Sequence, residues 1–129
     1  MSEQAHYDAV KALLAAGGAV PLSLTEIKAA GKAGTLPARY TELYVSEIVR
    51  APVLVGGWSS LSSWRVQTRA IGDTEANARV IRGKAAAALH GQHITVGGAS
   101  AVIGRAATDD PIGEDNGRYS GLSEYAYTL

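Results

Sequence analysis

Apolar positions along the chain fall into two periods, one helical and one alternating, and the switches between them mark the elements. Tyr7, Val10, Leu13 and Leu14 recur at three- and four-residue spacing, which predicts an amphipathic helix over 3–16 stopped by Gly17-Gly18. Ser23 with Glu26 three positions on is a capping box, in which hydroxyl and carboxylate satisfy two orphan backbone donors. The helix it opens is short, because Gly31 and Gly34 weaken it and Pro37 blocks extension. From 39 to 49 the period becomes two: Thr41, Leu43, Val45, Glu47 and Val49 oppose Tyr40, Glu42, Tyr44, Ser46 and Ile48, as in a strand with one buried face. A Pro-, Gly- and Ser-rich loop follows. A second strand, 63–71, sets Trp64, Val66, Thr68 and Ala70 against Arg65, Gln67, Arg69 and Ile71, and Gly72 ends it.

Asp73 and Thr74 are both suitable N-caps for the next helix, where Ala78, Ile81, Ala85 and Leu89 form the apolar stripe and Gly91 the stop. Gly97-Gly98 predicts a tight turn between 94–96 and a strand from Ser100 to Arg105. "ATDDPIGEDNGR" reads as an acidic loop, and "YSGLSEYAYTL" as a terminal strand. The order α, α, β, β, α, β, β, β lacks the regular βαβ repeat of a parallel sheet. It predicts one α+β domain over 1–129, an antiparallel or mixed sheet of about four to five strands with helices packed on one face.

Composition narrows the function. At 129 residues the chain fits one domain. Twelve basic residues balance twelve acidic ones, so no net field draws it to nucleic acid or an anionic membrane. The absence of Cys excludes disulfides, thiolate zinc sites and thiol nucleophiles. The first twenty residues lack a basic leader, and Tyr7, Asp8 and Lys11 interrupt their apolar run, so neither a signal peptide nor a membrane span is expected, and the protein reads as cytoplasmic in the producing cell. With no Phe and two Trp, the core buries little apolar area per side chain, which suits a subunit stabilised by neighbours.

The chemistry-bearing residues form no catalytic pattern. His90 and His93 stand three apart but straddle a helix end, so they do not converge on a metal. "DDPIGEDNG" fails the calcium-loop template of alternating oxygen ligands. Neither "GKAGT" nor "VGGASAVIG" has the spacing of a phosphate cradle, and no serine sits in GxSxG. No catalytic, cofactor-binding or metal-ligating residue is therefore assigned. What remains are surfaces: an apolar loop carrying Val53, Leu54, Val55 and Trp58; a basic set, Arg65 and Arg69 on a strand with Arg79 and Arg82 on a helix; and an acidic set, Asp109, Asp110, Glu114 and Asp115. The simplest account of the charges is solvation. A more specific one is that basic and acidic faces of neighbouring copies meet head to tail in a ring.

The blocks "LTEIKAAGKAGTLPARYTELYVS", "WRVQTRAIGDTEANARVIRGKAAAAL", "ITVGG" and "IGEDNGRYSGLSEYAYTL", in that order, resemble the tail terminator (tail completion) proteins of long-tailed actinobacterial phages. The resemblance runs from about Leu24 to Leu129, as a pattern of blocks without a catalytic signature. It implies a structural α+β subunit that forms a hexameric ring on the last ring of tail-tube protein, stops polymerisation and presents a docking surface to the head and neck. Its partners would be its own copies, the tail tube protein and the connector, with DNA passing as cargo and no membrane involved; it would be assembled in the host cytoplasm and reside in the virion. The chain departs from the family where a charged loop is expected after the first long strand, since Val53–Val55 is apolar. A head-completion or neck protein shares this size and fold class. A nucleic-acid-binding module using the four arginines is the alternative of another class, opposed by the neutral balance and few stacking aromatics.

Overall fold

The computed structural model describes residues 3–48 and 62–129. Helix α1 spans Glu3–Ala16 and buries His6, Val10 and Leu14. The chain then turns through Gly18 at φ 73° and Val20 at φ 48° into a two-residue strand, β1 (Pro21–Leu22). Two bonds clip this turn to the sheet: Thr41 donates its N–H to the Val20 carbonyl at 2.9 Å and its hydroxyl to that of Ala19 at 2.7 Å.

Helix α2 (Leu24–Ala33) begins with the expected capping box. The Ser23 hydroxyl accepts from the Glu26 N–H, the Glu26 carboxylate accepts from the Ser23 N–H, and Gly34 closes the helix at φ 69°. No residue of α2 is buried. A Lys11–Glu26 ion pair ties it to α1.

The long strands are β2 (Arg39–Ile48), β3 (Ser63–Gly72) and β8 (Arg118–Thr128). They pair antiparallel, with Leu43 opposite Thr68 and Thr68 opposite Ser123. Inward-facing Leu43, Val45, Trp64, Val66, Tyr125 and Tyr127 meet Val10 and Leu14 of α1 and Ala85 and Leu89 of α3 (Glu75–Leu89). One sheet face is thus covered by two helices, as the alternation predicts. Thr74 rather than Asp73 caps α3, accepting from the Asn77 N–H, while Asp73 takes the Asn77 side-chain amide.

The sheet has six strands in the order β1-β2-β3-β8-β6 (β6, Gly104–Arg105), with β7 (Gly113–Asp115) also on β8, beside a separate two-stranded ladder; this is more strands than expected. It is mixed because β1 runs parallel to β2. The predicted strand Ser100–Arg105 is split. Residues Ala99–Val102 (β5) pair with His93–Val96 (β4), whereas Gly104–Arg105 (β6) pair with β8. The break is at Ile103, fully buried, whose N–H bonds the Gln92 carbonyl and whose carbonyl accepts from Gly91, so the chain crosses from one ladder to the other there. The acidic stretch is not all loop. Gly113–Asp115 (β7) pairs with β8 through a turn with Asn116 at φ 51° and Gly117 at φ 79°, the two positive values that an Asn-Gly hairpin supplies.

Candidate interaction surfaces

The face of the three long strands away from the helices carries rows set by register: Glu42, Arg69 and Leu122; Tyr44, Gln67 and Glu124; Ser46, Arg65 and Ala126. Arg65 and Arg69 therefore share one surface. Arg65 lies 3.4 Å from the Glu124 carboxylate, which also accepts from the Gln67 amide at 3.3 Å. The Tyr44 phenol donates to Glu42, and that bond, helped by partial burial, raises its pKa. Arg69 makes no ion pair among the described residues. It faces Glu114 and Asp115 across a hollow of about 260 Å³ that Ser120 and Leu122 also line.

The helical arginines go elsewhere. Arg79 pairs with Glu75 one turn back, both side chains largely in solvent, a pair of small energetic weight. Arg82 reaches within its own chain, 4.0 Å from Asp109, and donates to the Asp110 carbonyl at 2.6 Å. Asp109 also accepts from Arg105 at 3.2 Å. The Arg82 guanidinium passes close to Gly121, where a Cβ would stand 2.8 Å from Nη1. So Arg82, Asp109 and Asp110 meet inside one subunit, as a clasp between α3 and the loop before β7; Arg65 is likewise paired within its chain, with Glu124, whereas Arg69, Glu114 and Asp115 make no ion pair among the described residues. Val53, Leu54, Val55 and Trp58 lie outside the described residues.

A larger groove, about 730 Å³, runs between α1, the start of α2 and the outer edge of β2 from Leu43 to Ser46. Sequence patterning did not reveal it, because it depends on β1 ending at Leu22 and leaving the rest of that edge unpaired among the described residues. The Tyr7 phenol forms part of its wall beside Ser23, and burial raises its pKa.

Behind the sheet, His6 stacks on Trp64 with ring centroids 3.7 Å apart and shares a 2.7 Å hydrogen bond with the Tyr127 hydroxyl. Burial holds the His6 pKa below its ordinary value and pushes that of Tyr127 up to about 12. Both groups are neutral near pH 7, and the trio fastens α1 to the sheet. Among the described residues no helix is long and apolar enough to cross a membrane, and no three metal-binding side chains cluster.

No family model matches the chain, and no curated protein matches it. Solved structures do. One, known by a bare sequence identifier that says nothing of its role, superposes with a TM-score of 0.67 at 13% identity, covering 99% of this chain and 95% of its own. At that identity the likeness shows a shared fold over the whole chain.

Proposed function

We propose that the protein is a structural subunit of a phage tail, a tail terminator that forms a ring on the head-proximal end of the tail tube, ends its growth and provides the docking surface for the neck. The ordered resemblance of sequence blocks from Leu24 to Leu129 carries this reading. It is supported by a fold whose chemistry lies on surfaces: a sheet face bearing Arg65 and Arg69 that no helix among the described residues covers, and an acidic strand bearing Glu114 and Asp115. A ring of identical copies needs two different patches on each subunit, and opposite charge favours the correct neighbour. DNA passes through such a ring as cargo.

The test is electron microscopy of lysates from a phage with a stop codon in this gene. Filled heads beside headless tails of excess or irregular length are expected. Headless tails of finished length would instead assign the protein to the neck, and normal virions would overturn a structural role at the head-tail junction.

A further inference from the structure

The chain holds two asparagines, Asn77 and Asn116, in opposite surroundings. Asn77 lies in the first turn of α3. Its side-chain amide donates to Asp73 at 2.6 Å, and its side-chain oxygen accepts from Arg39 at 3.5 Å. The backbone nitrogen that follows it, that of Ala78, is held by the Thr74 carbonyl at 3.1 Å. The side-chain carbonyl carbon and the next backbone amide, the two groups through which an asparagine can react with its own chain, are both fixed there.

Asn116 stands exposed at the tip of the β7–β8 hairpin, and glycine follows it. Its φ of 51° lies in the left-handed region, which a residue with a Cβ adopts only where a turn holds it. Among the described residues neither its side chain nor the Gly117 N–H makes a hydrogen bond, and nothing lies within 4 Å of a Cβ position on Gly117. β7 is three residues long and exposed throughout. A hairpin end of this kind opens at a small fraction of the free energy of global unfolding.

We infer that Asn116 is a site of spontaneous modification, at which the Gly117 nitrogen attacks the asparagine side chain and converts it to aspartate and isoaspartate. When the turn opens, hydroxide takes the Gly117 amide proton and the nitrogen bonds to the Asn116 Cγ. The Cγ–Nδ2 bond breaks, ammonia leaves with a proton from water, and a five-membered imide closes. Water then opens the imide at either carbonyl, so the net reaction consumes one water, releases one ammonia and changes no oxidation state. Glycine permits the attack because no side chain shields its nitrogen. Both products add a negative charge beside Asp115. In isoaspartate the backbone is also longer by one methylene, which does not fit the two-residue loop that sets the Asp115–Arg118 register.

Trypsin separates the two sites. Peptide 70–79 contains Asn77, peptide 106–118 contains Asn116, and neither contains glutamine, so a gain of about 1 Da in either has a single origin. The whole protein is held for days in warm, mildly alkaline buffer, with and without urea, then digested for mass spectrometry. Without urea, peptide 106–118 should gain mass at least about tenfold faster than peptide 70–79 and resolve into two products, isoaspartate the more abundant. Urea should speed conversion of Asn116 by less than about a hundredfold, since local opening already exposes it. Absence of conversion in the native protein, or a larger response to urea, would mean that the hairpin protects Asn116 and would overturn the inference. Aspartate formed without isoaspartate would overturn the attack by Gly117. None of these readouts depends on the role of the protein in a tail.

Discussion

One substitution, glycine to alanine, should act in opposite directions at two positions eleven residues apart. Gly72 is buried where β3 runs into α3. A Cβ there would stand 2.4 Å from the Ala78 nitrogen, 2.8 Å from the Thr74 carbonyl oxygen and 2.9 Å from the Asn77 carbonyl carbon. All three are backbone atoms of the helix start, so no side chain can swing away and the whole first turn must shift. Overpacking of this kind costs ~2–3 kcal/mol. Gly83 lies mid-helix in α3, exposed, with nothing within 4 Å of its Cβ position. There alanine should add about 1 kcal/mol through helix propensity. An unfolding entropy of ~2.1 cal/mol/K per residue gives ~270 cal/mol/K for 129 residues. Each kcal/mol then moves the melting temperature by ~4 °C. Calorimetry should therefore place Gly72→Ala ~8–12 °C below wild type and Gly83→Ala ~4 °C above it. If Gly72→Ala melted within about 2 °C of wild type, the close approach of α3 to the end of β3 would not be the constraint described.

Three further outcomes follow from the packing. The His6 pKa is held below 6.5 by burial, so the folded state binds fewer protons than the unfolded one; its contribution is complete above pH 6.5 and is lost as pH falls from there toward the folded value. Melting temperature should drop across that window, and His6→Phe should flatten the drop; an equal drop in the variant would place the sensitivity elsewhere. Arg82→Ala should cost ~1–1.5 kcal/mol, since it frees the Asp110 carbonyl and leaves Asp109 with Arg105 alone, whereas Arg79→Ala should cost under ~0.5 kcal/mol in chemical denaturation; equal costs would deny the clasp. Ser23→Ala should raise amide exchange across α2 and cost about 1 kcal/mol; unchanged exchange would mean that the capping box contributes little there.

The elements legible in the sequence were those whose signals are local. The Ser23–Glu26 box, the alternation in β2 and β3 and the stripe of α3 each depend on spacing within a few residues, and each forms as read. Features set by partners distant in sequence were not legible. β1 is too short to carry a period and exists because Thr41 holds the Val20 carbonyl. The Asn116-Gly117 turn signal was present, but the acidic residues before it made the stretch look like loop. Composition marks a basic and an acidic set, yet could not tell that Arg82 meets Asp109 in its own chain, because that contact is made across the fold between α3 and the loop before β7. The groove along β2 was invisible for the same reason: an unpaired edge is a property of topology.

The strand order has a consequence for synthesis. β8 lies between β3 and the β6 and β7 pair, yet it follows every other element in the chain. Tyr125 and Tyr127, near the middle of the core, belong to it. Until residues 118–128 have emerged from the ribosome, β3 presents an unmatched flank and Val66 and Leu89 lack part of their cover, so the nascent chain must wait with its interior open. Folding of this sheet is gated by translation of β8, because the decisive β3–β8 pairing joins residues from Gly72 and Tyr119 out to Ser63 and Thr128, far apart in sequence. Premature termination only a dozen codons before Leu129 would yield a polypeptide with most of its helices and no completed sheet, a substrate for proteases and chaperones in place of a subunit.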